Sequence, residues 1–155
     1  MVKSTIIVYT DGSCKNNGKT NAKGGIGIYF GKNDKRNYSG PLKGMNQTNN
    51  RAELSAVIKA LEIINLDDHA CIYTDSKYVM LSITKWMDQW IINKWKASSG
   101  RPVKNKDLFK YLNNLIELKR QRRSTVIWKW VKGHSTSYGN QQADLLATQG
   151  SKMLS

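Results

Sequence analysis

The sequence predicts an α/β fold, a five-stranded mixed sheet with helices on both faces. Three observations predict it. Three short β-branched or glycine-rich apolar runs come first, with only turns between them. Two more apolar runs follow, each reached through a helical stretch, and a last helical stretch closes the chain. The stretches between carry apolar residues at the three-and-four spacing of a helix with one buried face. At 155 residues a single domain is the default, burying about two-thirds of the surface of the unfolded chain. No internal repeat, low-complexity tract or Pro/Ser-rich linker interrupts it, so residues 1–155 are expected to form one domain.

Residues 5–10 (Thr-Ile-Ile-Val-Tyr-Thr) read as a strand buried on both faces. Residues 24–30 and 35–39 read as the second and third strands of a meander, turning near residues 31–34. Residues 50–65 form a helix, because Ala56, Val57, Ala60, Leu61 and Ile64 share one face, with Thr48 or Asn49 as its cap. Residues 70–74 are a short apolar strand reached through that helix, so it should lie parallel in the sheet. Residues 76–95 and 105–119 are helical around a Gly-Arg-Pro loop at 100–102. Residues 126–131 form the fifth strand and 141–150 the last helix.

With 39% apolar and 23% charged residues, the composition excludes disordered, collagen-like and disulfide-scaffold classes. No apolar run is long enough to span a bilayer, and the first ten residues lack a signal h-region. Cys14 and Cys71 fit a reducing compartment, and the cytoplasm is the expected location. Against 11 acidic residues stand 25 basic ones, a net charge of +14 that exceeds what solubility needs and calls for a polyanionic partner. No basic amphipathic helix presents a clean apolar side, so a membrane is not that partner; nucleic acid is. The densest basic run, residues 119–123, has two readings: part of a binding surface, or cations relieving the negative end of a helix dipole.

Four carboxylates stand in unusual places. Asp11 follows the first predicted strand and Asp75 the fourth, and ligands of open α/β sheets gather at the carboxyl ends of strands. Glu53 opens the apolar stripe of its helix, so it faces the core, where a carboxylate is costly without a partner. A capping box with Asn49 or Asn50 is the alternative for it. Asp144 reads as a first-turn acid favoured by the dipole of the last helix. Taken together, two like charges ~4 Å apart repel by about 4 kcal/mol at an effective dielectric near 20, so a cluster of them requires cations. An all-oxygen set suits magnesium or manganese and not zinc. A pair of such ions serves in-line attack of water on a phosphodiester. On a strongly basic domain this predicts phosphodiester hydrolysis.

Five segments, Tyr9-Thr-Asp-Gly-Ser-Cys14, Gln47-Thr-Asn-Asn-Arg-Ala-Glu53, Tyr73-Thr-Asp-Ser-Lys77, Val131-Lys-Gly-His-Ser135 and Asn140-Gln-Gln-Ala-Asp-Leu-Leu-Ala147, together resemble type 1 ribonuclease H in its compact bacterial or phage form. The resemblance spans essentially the whole chain, in order. It implies sheet order 3-2-1-4-5 with the first three strands antiparallel. It also implies endonucleolytic cleavage of the RNA strand of RNA–DNA hybrids, leaving 3′-hydroxyl and 5′-phosphate ends. Two Mg2+ ions per active site, with Mn2+ able to substitute, would be held by Asp11, Glu53, Asp75 and Asp144. The resemblance adds His134 to the catalytic set, beside the scissile phosphate, where a pKa near neutrality suits proton transfer or product departure. On its own, a histidine in this glycine-flanked loop reads as merely exposed.

For the substrate, the resemblance places Asn17, Asn49 and Asn50 at the minor groove and the backbone of Gly12, Ser13 and Cys14 against the RNA sugars. It places Tyr78, Trp86 and Trp90 along a groove for the DNA strand, with Thr48 and Asn105 in a phosphate pocket. Read without it, the asparagines are turn residues, Cys14 is a small packed side chain, and the aromatic row belongs to a core. Three departures stand out. Asn46 replaces a basic residue that often completes the pocket, Ile91 and Ile92 interrupt a basic cluster and either pack inward or meet a partner, and Gln141 replaces an acid near Asp144. A monomer is expected. Rival readings are the ribonuclease H part of a reverse transcriptase and a hybrid-binding module that does not cut.

Overall fold

A computed structural model describes residues 2–133 and 136–154. His134, expected in the catalytic set, lies outside the described residues. The elements are β1 (Thr5–Lys15), β2 (Lys23–Tyr29), β3 (Tyr38–Pro41), α1 (Asn49–Ile63), β4 (His69–Thr74), α2 (Lys77–Leu81), a π-helical turn (Ser82–Trp86), α3 (Met87–Ile92), α4 (Lys106–Gln121), β5 (Val126–Trp130) and α5 (Tyr138–Ser151). They build one five-stranded sheet in the order β3-β2-β1-β4-β5. The first three strands run antiparallel, and β4 lies parallel to β1 and β5 parallel to β4.

Glycines in the middle of the sheet let helices close on both faces. A Cβ at Gly12 would lie 2.3 Å from the backbone N of Glu53 in α1. Gly12 pairs with Ile26, and the residues on either side of Ile26 point the other way. There, a Cβ at Gly25 would lie 2.1 Å from Ser151 N and one at Gly27 2.2 Å from Ala143 O, both in α5. So α1 and α5 sandwich β1 and β2 with no side chain between backbone and backbone. The main core forms between the sheet, α1 and α4, where Val8, Ile28, Leu54, Val57, Ile72 and Phe109 are buried.

Several elements differ from the sequence expectation, each for a long-range reason. β1 continues past Thr10 to Lys15, so Asp11 lies within the strand and not after it. Pairing with β4 stops at Tyr9, but pairing with β2 carries on to Lys15 opposite Lys23. Nor is the start of β1 buried on both faces: Ile7 is 52% exposed, and its row across the sheet ends at the exposed Ile127. β3 falls later than expected, because Asp34 and Asn37 close consecutive turns back to Gly31 and Asp34. The region expected as one helix over 76–95 is three segments ending at Ile92, after which Lys94 and Trp95 turn left-handed at φ 55° and 63°. α5 starts at Tyr138, capped by Ser137, so Asp144 sits beyond the first turn.

The basic run at 119–123 resolves in favour of structure. Lys119 is buried with its Nζ donating to the Asp68 carbonyl, Arg120 pairs with Glu117 at 3.1 Å and Arg122 with Asp67 at 3.4 Å. Among the described residues no helix is long and apolar enough to cross a membrane.

Candidate active site

Asp11 sits on the face that α5 covers, opposite Gly27, at the point where β4 no longer flanks β1. Asp75 follows directly on β4, as expected. Its backbone is held from two sides: the Ser76 amide donates to Thr74 Oγ1 at 3.1 Å, and Trp130 Nε1 donates to the Asp75 carbonyl at 3.2 Å. Glu53 comes from α1, whose cap is Thr48, accepting from Arg51 N at 3.1 Å. The capping-box alternative for Glu53 therefore fails. Its Oε1 instead accepts from the Gly12 amide at 3.0 Å, across the contact that glycine alone permits.

Carboxylate oxygens of Asp11, Glu53 and Asp75 lie within 4.8 Å of one another. Asp144, exposed on α5, stands outside this trio, though its charge helps to raise the pKa of Glu53. Asp11 and Glu53 are 4% and 5% exposed, which places like charges where water cannot screen them. Burial is the largest cause pushing both carboxyls above their ordinary range; Glu53 and Asp75 push Asp11 higher still, whereas for Glu53 the repulsion from Asp75 is offset in part by the Asp11 carboxyl and the Gly12 amide. Glu53 Oε2 is buried without a hydrogen-bond partner. An orphaned buried oxygen among convergent carboxylates is the arrangement a hard divalent cation satisfies, so the residues present fit such an ion.

Around this cluster the expected substrate residues fall into two groups. On one side, Asn17 Oδ1 accepts from the Asn49 amide at 3.0 Å, tying the turn after β1 to the start of α1 beside the exposed Asn50. Gly12 is buried with its N–H committed to Glu53, while Ser13 and Cys14 are half-buried. Cys14 Sγ lies 3.6 Å from the Gln47 carbonyl, and burial pushes its thiol pKa up, which agrees with a packed and unreactive side chain. On the other side, Tyr78 and Trp90 both pack on the buried Phe109, with ring centroids 6.0 Å and 5.0 Å away, and Trp86 lies 6.1 Å from Trp90 with 42% of its surface exposed. The row is thus part core and part surface. Asn105 Nδ2 donates to the Tyr78 hydroxyl at 3.0 Å.

Two features were missed from sequence. Arg51 links Thr48 to Asn105, but nothing in a lone arginine marks that reach. Gln47 pins three backbone groups, accepting from Gly24 N at 2.7 Å and donating to the carbonyls of Leu42 and Gly44 at 2.9 Å and 2.7 Å. Ile91 and Ile92 do not pack inward; they are 39% and 71% exposed.

Residues 3–152 match the RNase H family model. The chain belongs to the RNase H family. It is 49% identical over 144 residues to Ribonuclease H of Schizosaccharomyces pombe, covering 93% of this chain and 52% of that protein. It is 45% identical over 148 residues to Ribonuclease H of Hahella chejuensis, covering 96% and 94%. Among solved structures, the PFV RNase H domain in solution superposes with a TM-score of 0.69 at 30% identity, covering 94% of this chain and 93% of that one. The foamy viral protease-reverse transcriptase in complex with RNA/DNA hybrid superposes with a TM-score of 0.78 at 28% identity, covering 96% of this chain and 20% of that one. The chain therefore spans about half of the S. pombe relative and a fifth of the viral protein.

Proposed function

We infer that this chain is an endoribonuclease that hydrolyses the RNA strand of RNA–DNA hybrids, using divalent ions held by Asp11, Glu53, Asp75 and Asp144. The observation that carries this reading is the buried carboxylate cluster with its unpartnered Glu53 oxygen, set in a chain of net charge +14. Relatives named Ribonuclease H along nearly the whole chain, and a similar fold solved with an RNA/DNA hybrid, support it.

Asp11, Glu53, Asp75 and Asp144 would hold two Mg2+ ions, with Mn2+ able to substitute, and such ions would supply positive charge at the scissile phosphate and ease deprotonation of the attacking water. The chain does the rest. The Gly12 amide fixes one oxygen of Glu53, which leaves the other aimed at the ligand. Asp11 and Asp75 are held by strands and so are pre-positioned, whereas Asp144 approaches from an exposed helix face. His134 takes up or delivers the proton as products leave. Asn17, Asn49, Asn50 and the backbone of Gly12, Ser13 and Cys14 read the RNA strand through its 2′-hydroxyls. Tyr78, Trp86 and Trp90 carry the DNA strand, with one of its phosphates in the pocket of Thr48 and Asn105. The products carry 3′-hydroxyl and 5′-phosphate ends. Residues 1–155 act as one monomeric domain, and free Cys14 and Cys71 agree with a cytoplasmic setting.

Hybrid, duplex RNA and duplex DNA offered side by side test the reading. Cleavage of the hybrid's RNA strand alone is expected, with Mg2+ and not with chelator. Binding of the hybrid without cutting would replace the nuclease by a binding module.

A further inference from the structure

Arg51 stands between Thr48 on one side and Asn105 with Tyr78 on the other, touching the first through its backbone and the second through its guanidinium. Its backbone N–H donates to Thr48 Oγ1 at 3.1 Å. Its Nη1 donates to Asn105 Oδ1 at 3.3 Å, and the guanidinium forks onto Asp107 at 3.0 Å and 2.8 Å. Asn105 itself precedes α4 in a left-handed conformation, φ 59°, so its side chain points from a fixed backbone position.

The chemistry of these partners decides the polarity of the pocket. A side-chain amide has a donor end and an acceptor end that can exchange by a flip. A guanidinium only donates, so the acceptor end of Asn105 must face Arg51 and the NH2 must face Tyr78. One N–H of that NH2 goes to the Tyr78 oxygen, which leaves the second N–H and the phenolic O–H to point elsewhere. Thr48 likewise has an oxygen lone pair engaged by Arg51 and keeps its O–H. Burial holds the Tyr78 pKa above its usual value, so the phenol stays a donor. All three side chains are thereby left with spare donors. Arg51 is itself only 16% exposed and neutralised by Asp107, so it is poorly placed to bind a phosphate directly.

We propose that Arg51 is a positioning residue that orients the Asn105 amide, so that Asn105 and, through it, Tyr78 present donors beside the Thr48 hydroxyl to a phosphate of the DNA strand. It does by orientation what the absent basic residue at Asn46 would do by charge. The proposal rests on the reading of that pocket given under Proposed function.

Two measurements test it. In steady-state cleavage of a hybrid, Arg51→Gln raises KM roughly tenfold with kcat little changed, and so does Asn105→Ala. Because both act through one amide, the double variant is no worse than Asn105→Ala alone. Arg51→Lys reaches Asn105 or Asp107 but not both as a fork, and gives an intermediate KM. It serves the same comparison if Arg51→Gln melts too early to assay. Multiplied losses in the double variant, or a loss confined to kcat, would overturn the proposal. Separately, the 15N side-chain amide signal of Asn105 is expected to shift on titration with inorganic phosphate in the intact protein and not in Arg51→Gln. An identical shift in both would also overturn it. That titration reads the pocket even if the hybrid proves not to be the substrate, so the two failures are distinguishable.

Discussion

The carboxylate cluster and the aromatic-asparagine side of the molecule are built on opposite terms. At the cluster, backbone approaches backbone through Gly12, like charges are buried, and an oxygen of Glu53 has no partner. At the Arg51 pocket, by contrast, donors and acceptors answer one another from Thr48 through Arg51 and Asn105 to Tyr78. Beyond the pocket the helices break at the π turn and leave Trp86, Ile91 and Ile92 in solvent. On the proposed reading, chemistry sits where the packing is backbone to backbone and electrostatically incomplete, and recognition sits on side-chain contacts that can be exchanged one at a time.

That contrast can be broken, and the largest effect should come from the cluster. Asp75→Asn removes a convergent oxygen and is expected to lower kcat on a hybrid by on the order of a thousandfold, while a thermal melt in chelator stays as high as wild type or rises. A melt that falls would mean that the carboxylates are structural. Next, Gly12→Ala forces a methyl group against the Glu53 backbone and should destabilise the fold by about 3 kcal/mol in urea titration, with activity lost alongside. A neutral result would remove the close approach on which the position of Glu53 depends.

The third effect depends on pH. Asp11 and Glu53 have folded pKa values raised above those of the unfolded chain, so the folded state holds protons that the unfolded state releases. Stability without metal therefore declines as pH climbs from about 4 towards the raised values, by up to about 1.4 kcal/mol per pH unit for each proton involved. Mg2+ should flatten that slope, because a cation takes over from the proton. Melts between pH 5 and 8, with chelator and with Mg2+, check it; equal slopes would count against the cluster. The smallest effect belongs to the recognition side. Replacing Ile91 and Ile92 by Lys adds two phosphate contacts and should lower KM for the hybrid about threefold at low salt. An unchanged KM would mean that the hybrid does not pass over that corner.

What could be read from the sequence follows the same division. Asp75 at the end of a strand, Glu53 on an apolar helical stripe and Thr48 as a cap are local patterns, and the structure has each of them. The extension of β1 through Gly12, Ser13 and Cys14 was not legible, since those residues are poor strand formers and only pairing with β2 holds them extended. Asp144 looked like a first-turn acid because the start of α5 depends on a Ser137 cap outside the expected helix. The buried Lys119 and the fork of Arg51 onto Asp107 join residues far apart in the chain, so no window of sequence contains both partners.

Calorimetric titration of the metal-free protein with Mn2+, run in two buffers of different ionisation enthalpy, bears most directly on the central claim. Saturable binding with proton release near neutral pH is the predicted result, reduced or abolished by Glu53→Gln. Absence of saturable binding, or the same isotherm for Glu53→Gln, would contradict it.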